Sequence, residues 1–346
     1  MNPLISSLFF LSLTTGTIIT LSSEHWLLAW AGMELNTLAI MPLISKQHHP
    51  RATEAATKYF LTQATASTLI IFASSLNAWK TGQWNISQLS APGTNMILTL
   101  AIAMKLGLAP FHFWLPEALQ GSTLSTALII STWQKLAPAL LLYMTSNNLD
   151  KNTLMLLGLF SSTLGGLLGL NQTQTRKIMA FSSVAHMGWL FSAIALSPNL
   201  TLITISIYII LTSALFITLT ATTSKGLTDL GTTWPQSPTL LLTTMLILLS
   251  LGGLPPLTGF TPKFMILKEL TTNNMIIMGT LMALSSLPSL FFYLRMSYIT
   301  TLTLPPNTTN SKHQWRLPTN SLTPLTPLTT TTLLLLPITP LITNMC

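Results

Sequence analysis

Glu34, Lys105 and Lys135 each fall near the middle of a long apolar run in a chain of 346 residues. Charges at such depth are costly, and by default they mark ion or proton paths. A carboxylate about 4 Å from an ammonium favours the charged form by about 4 kcal/mol at an effective dielectric near 20. Moving Glu34 toward or away from a buried lysine is therefore enough to load or unload a proton. That chemistry is a gated relay rather than a redox or nucleophilic site. The structural alternatives are a buried salt bridge or a lysine that snorkels to the interface, and central depth argues against snorkelling. Lys263 lies beyond Pro255-Pro256, so its depth depends on how that segment folds. His112, within Leu108-Ala-Pro-Phe-His-Phe-Trp-Leu-Pro116, and His186, within Ser182-Ser-Val-Ala-His-Met-Gly-Trp189, are weaker candidates for the same relay. Each reads equally as a satisfied hydrogen-bonding residue. Glu117 reads as an interface residue.

The elements that position these groups must lie in a membrane. Asp, Glu, Lys and Arg make up 6% of the chain, against about a quarter of a typical soluble domain. So few charges cannot cover a 37.7 kDa globule, and a mean hydropathy of +0.58 excludes disorder as well. The net charge of +8 does not point to nucleic acid, because the basic residues are scattered singly. Cys346 is the one cysteine, which excludes an internal disulfide, a cysteine-ligated iron-sulfur cluster and a zinc ribbon. No phosphate-binding glycine loop, GxSxG or HExxH occurs. The sequence therefore predicts no cofactor and no metal site. The amino-terminal apolar run lacks a basic leader and reads as a retained helix.

Apolar runs separated by short polar stretches predict an all-α polytopic membrane protein with about eleven helices. They cover roughly 3–21, 26–44, 55–76, 96–120, 123–143, 153–170, 178–197, 200–222, 239–267, 275–297 and 322–343. The last is the weakest, being interrupted by Pro324, Pro327, Pro337 and Pro340. The two long connections, 77–95 and 300–321, are polar. Alternate threading puts Lys46, Arg51, Arg176, Lys177, Lys225, Arg295, Lys312 and Arg316 on the side of the amino terminus. Only Lys80, Lys151 and Lys268 fall opposite. The positive-inside rule then turns the amino terminus to the cytoplasm or its organelle equivalent, with Cys346 opposite.

Two of these helices carry breaks. One is the Leu108–Pro116 segment and the other is Gly252-Gly-Leu-Pro-Pro-Leu-Thr-Gly259. Proline removes a backbone donor and glycine loosens the turn, so both segments free carbonyls inside the membrane. Their separation by an odd number of helices predicts two inverted five-helix repeats, about 3–145 and 151–299, with a C-terminal helix at about 322–343.

Four ordered stretches carry a family resemblance: Ala109–Ala118, Thr132-Trp-Gln-Lys-Leu-Ala-Pro138, Arg176–Gly188 and Gly252–Phe260. Together they resemble the antiporter-like proton-pumping subunits of respiratory NADH-quinone oxidoreductase. Length, threonine richness and the stretch Glu54–Thr65 are most similar to the animal, mitochondrially encoded members. The resemblance spans essentially the whole chain. It implies two inverted five-helix units with broken helices, and eleven helices where bacterial relatives have fourteen. It also implies a multi-pass protein of the mitochondrial inner membrane with a matrix-facing amino terminus. The family's modulating pair corresponds to Glu34 and Lys105, its next-helix lysine to Lys135, and the lysine after its second break to Lys263. NADH, FMN, iron-sulfur clusters and ubiquinone would belong to other subunits. The implied partners are other membrane-arm subunits, including neighbouring antiporter-like ones, and lipid at the face the missing helices leave open. Two competing readings use the same residues: a free-standing cation/proton antiporter subunit, and a structural membrane scaffold whose buried charges merely pair.

Overall fold

The computed structural model describes residues 3–47, 49–91, 93–233, 238–302, 316, 325–334 and 336–338. Among them the regular structure is helical, with two isolated antiparallel bridges, His25 to Asn85 and Gln174 to Gly226. Eight helical segments are long and apolar enough to cross a membrane. Helix is the expected solution, since lipid offers no partner for backbone N–H and C=O groups. The chain forms two compact units, one of Met1–Ser161 and Leu190–Pro198, the other of Ser162–Trp189 and Asn199–Cys346.

The first unit is built on α1 (Pro3–Ser22), α2 (Trp26–Ile44) and α3 (Pro50–Thr81). α1 and α2 cross at Gly16 and Gly32, where a Cβ on either residue would stand 2.7–2.8 Å from the other's carbonyl oxygen. Such backbone contact is available only to small residues and is a common way to pair helices in lipid. The outer face of α1 is apolar and open, with Leu4, Leu8, Leu11 and Ile18 all well exposed. α3 is longer than its apolar run predicts. The His49 ring accepts a hydrogen bond from the Arg51 N–H at 3.1 Å and Pro50 occupies the first turn. At the other end Gly82, at φ +74°, stops the helix. The connection read from the sequence as 77–95 therefore starts later and is tied down. The Asn77 and Asn148 amides donate to the Gln88 and Ser87 carbonyls at 2.8 and 2.7 Å, and His25 stacks on Trp84.

The next membrane crossing is divided into α4 (Thr94–Leu106) and α5 (Trp114–Gly121), as the proline pattern predicts. The segment after it, predicted as one helix, is also divided, into α6 (Leu124–Ser131) and α7 (Trp133–Thr145). The physical reason is local. The Leu128 carbonyl receives the Thr132 N–H and both the Ser131 and Thr132 hydroxyls, at 2.7–3.0 Å. Such back-bonding bends helices, and Pro138 withholds the donor that the Gln134 carbonyl would otherwise meet.

α8 (Lys151–Gly169) and α9 (Thr175–Leu196) follow. The second unit continues through α10 (Pro198–Thr222), the short α11 (Leu227–Thr232), α12 (Pro238–Gly252), α13 (Phe260–Thr272) and α14 (Ile276–Leu302). α11 was not anticipated from hydropathy. It is started by Asp229, whose carboxylate accepts the Gly226 and Lys225 N–H groups at 2.8 and 3.0 Å. α12 and α13 flank the second predicted break. Within the weak final run, α15 (Leu325–Leu334) packs against α12, and a 3-10 turn covers Leu336–Ile338. Pro327 sits in the first turn of α15, where its missing N–H is not needed. Lys312, Pro324, Pro340 and Cys346 lie outside the described residues.

Candidate proton-transfer sites

In the first unit the break after α4 leaves helix-end carbonyls inside the apolar layer, and uncharged donors meet them. The Trp114 indole N–H donates to the Met104 carbonyl at 3.1 Å, and the Gln63 amide donates to the Lys105 carbonyl at 3.5 Å. Gly107, at φ +76°, closes the helix as a left-handed cap. Lys105 stands in the last turn of α4 and is 5% exposed. That is the negative end of the helix dipole, which favours a cation. Its Nζ is buried and makes no hydrogen bond among the described residues, while the field of Glu34 reaches it. Glu34 is half-buried on α2. One carboxylate oxygen accepts from the Thr37 hydroxyl at 3.1 Å, and the other is buried without a hydrogen-bond partner. An acid and an amine with unused hydrogen-bonding capacity thus stand within each other's field.

A small cavity with room for about one water lies beside Lys105, lined by Asn36, Tyr59, Gln63, Lys105 and Gln134, among others. Lys135 follows Gln134 in the first turn of α7 and is fully buried. The interruption at Thr132 is what brings it to a helix start. There the dipole disfavours a cation, the reverse of the setting of Lys105. His112 lies in the connector between α4 and α5, buried and stacked on Phe113 with ring centres 4.3 Å apart. It does not line the cavity. Glu117, on α5, forms an exposed ion pair with Lys58 at 2.5 Å, and Lys58 also holds Glu54 at 2.6 Å.

In the second unit the arrangement is different. Lys263 rises from the first turns of α13 and donates from Nζ to the carbonyl of Gly252, the last residue of α12, at 2.9 Å. The break therefore folds so that this lysine is buried. Gly253, at φ +81°, makes room for it, since a Cβ there would be 2.9 Å from Lys263 Nζ and Cδ. Lys263 also stands 6.0 Å from the centre of the Trp189 ring, an attractive distance for a cation over an aromatic face. His186 Nε2 lies 3.3 Å from the Tyr293 hydroxyl. His186, Trp189, Lys263, Ser162 and Ser285 cluster around one closely packed spot.

The structure thus places Lys105 within the electrostatic reach of Glu34, and His186 and Lys263 around one spot. It keeps His112 in a connector. Charge alone did not disclose the amides of Asn36, Gln63 and Gln134 or the hydroxyl of Tyr293. The available signal was polar side chains at helical spacing within apolar runs, which in lipid must find protein or water partners. Among the described residues no group of three or more His, Cys, Asp or Glu is placed to hold a metal.

Two broken helices, each with a buried lysine, define an antiporter-like membrane chain. A family model described as NADH:quinone oxidoreductase/Mrp antiporter matches residues 23–289, and one described as NADH dehydrogenase subunit 2 C-terminus matches 290–343. The NADH-ubiquinone oxidoreductase chain 2 of Carassius auratus is 56% identical over 343 residues, covering 99% of each chain. That of Struthio camelus is 54% identical over 342 residues, again covering 99% of each. The chain belongs to the family of NADH-ubiquinone oxidoreductase chain 2, a subunit of the proton-pumping complex I. In fold it is similar to a chain of respiratory complex I from Thermus thermophilus, at a TM-score of 0.87 and 24% identity, covering 99% of this chain and 80% of that one. It is also similar to a chain of the Mrp complex from a Dietzia species, at 0.82 and 17%, covering 97% and 75%.

Proposed function

We propose that Glu34, Lys105, Lys135 and Lys263 carry the proton traffic of this membrane-arm subunit, with His186 and, more weakly, His112 as auxiliary stations. The observation that supports this most directly is the buried, unbonded Lys105 ammonium at the end of a broken helix within the field of Glu34. When Glu34 is near, the amine holds its proton. When the carboxylate moves away, burial favours the neutral amine and the proton is released. Lys135 relays across the first unit, and Lys263 answers to the outer side or to a neighbouring antiporter-like subunit. Each proton moved against the membrane potential costs about 2.3 kcal/mol per 100 mV. The drive is quinone reduction elsewhere in the complex, since NADH, FMN, the iron-sulfur clusters and ubiquinone are held by other subunits.

The finer architecture in this reading is eleven spans in two inverted five-helix repeats, about 3–145 and 151–299, with a C-terminal helix at about 322–343. The two broken helices and the unequal distribution of basic residues support it. The protein would sit in the mitochondrial inner membrane with its amino terminus in the matrix and its carboxyl terminus in the intermembrane space. Other membrane-arm subunits and lipid would cover the open face.

The test is Lys105→Met and Lys135→Met in the assembled complex, with proton pumping read in sealed vesicles. Both should abolish pumping while assembly persists. Normal pumping by both would leave a structural scaffold as the function of these charges. Likeness in fold to the Mrp chain supports a second reading, cation exchange by the chain itself. Sodium transport by the isolated chain in liposomes would favour that reading.

A further inference from the structure

We propose that Asn36 anchors an internal water site that links the Lys105 ammonium to the start of α7, and that it is therefore a positioning residue of the relay. The inference rests on the proton-transfer reading above and names a group that reading does not use.

Asn36 lies two residues beyond Glu34 on α2 and is 2% exposed. Both polar atoms of its carboxamide are buried, and neither has a hydrogen-bond partner among the described residues. A carboxamide offers two donors and a two-lone-pair acceptor. Burying all of them unmet opposes folding more than an ordinary hydrogen bond favours it. Asn36 lines the small cavity, which has room for about one water, together with Lys105, whose Nζ is likewise unmet. Two orphaned polar groups from different helices on one cavity, with Gln63 and Gln134 on its wall, supply the partners that a buried water requires.

The surroundings fix Asn36 in this role. Its backbone carbonyl accepts the Gln134 amide N–H at 3.2 Å, which ties α2 to the residue preceding Lys135. The carboxamide oxygen lies against α1, where a Cβ at Gly16 would run into it. The residue is thus held between α1 and α7, beside the cavity it lines.

The carboxamide does not ionise, so it holds no proton of its own. A proton leaving Lys105 Nζ passes to the water, which releases one of its own protons to the neutral Lys135 amine of α7. Asn36 keeps the water oriented for both transfers and ends the cycle unchanged.

The test uses the assembled complex and compares Asn36→Leu, Asn36→Ser and Lys105→Met, reading protons moved per NADH oxidised in sealed vesicles and the amount of complex on native gels. Leucine fills the space of asparagine without hydrogen-bonding groups, and it should lower pumping about tenfold with assembly retained. Serine keeps a hydroxyl for the water and should return pumping to within about threefold of the parent. Parental pumping by Asn36→Leu, or equal loss in the leucine and serine variants, would overturn the assignment. If the branched leucine blocks assembly, Asn36→Met, whose thioether adapts to irregular space, carries the same reading. Loss of pumping in Lys105→Met with parental pumping in Asn36→Leu would sink this inference alone. Normal pumping in Lys105→Met would sink the relay and the inference together.

Discussion

The two broken helices solve one problem in opposite ways. Each interrupts an apolar helical run and leaves a carbonyl end in the buried interior, and each has a lysine close by. In the first unit neutral donors take the freed carbonyls, Trp114 for Met104 and Gln63 for Lys105, so the Lys105 ammonium is free of backbone duty. In the second unit the lysine is itself the donor, reaching from α13 to the last carbonyl of α12. A carboxylate acts on the first lysine only through its field, and an aromatic ring stands 6.0 Å from the second. The first amine makes no backbone hydrogen bond, whereas the second ties the backbone of the break to its own position.

This contrast is open to direct attack. The largest effect is expected for Lys263→Met, which removes a charge and strands the Gly252 carbonyl. Pumping should be lost, and the complex should also unfold more readily, by about 1–3 kcal/mol for the orphaned acceptor. Thermal melting of the complex alongside vesicle pumping checks both, and a Lys263→Met complex as stable as Lys105→Met would erase the distinction. Next in size, Glu34→Gln should lower pumping-linked turnover about tenfold or more, because the carboxylate's field on an ammonium is worth several kcal/mol. Electron transfer from NADH to an artificial acceptor should be unchanged, and loss of both activities would indicate failed assembly instead.

Smaller still is Gly253→Ala. The positive φ alone disfavours a Cβ by about 1–2 kcal/mol, and the new atom would press on the Lys263 side chain. A drop in melting temperature with reduced pumping is expected, whereas Gly82→Ala, at a position with open space, should affect stability only. The smallest effect belongs to Glu117→Ala. Its ion pair with Lys58 is exposed, and such pairs, screened by solvent, add little to stability. Pumping should stay at the parental level, and a large loss would move Glu117 into the relay.

Several of these features were legible before the fold was. Glu34, Lys105 and Lys135 stand out because a charge in an apolar run is costly, and Pro110 and Pro255-Pro256 mark the breaks because proline cannot donate to the helix ladder. The start of α3 at Pro50, five residues before its apolar run, was not legible, because a histidine cap is a local geometry rather than a hydropathy signal. The interruption at Thr132 was hidden for a related reason. It depends on hydroxyls choosing one backbone carbonyl, Leu128, over other partners.

What the sequence by itself determined was the solvent of this protein, the helices that follow from that solvent, and the short list of charges placed within apolar runs. Scarcity made that list readable, since lipid penalises a buried charge wherever it comes from in the chain. Only the tertiary structure decided what each charge does to its surroundings. Whether a lysine is unbonded beside a carboxylate or committed to a carbonyl depends on which neighbouring side chains reach the break first. Trp114 and Gln63 reach the first break, and Lys263 reaches the second. The same packing turned Asn36 from one more polar residue in an apolar run into a candidate anchor for the water beside Lys105.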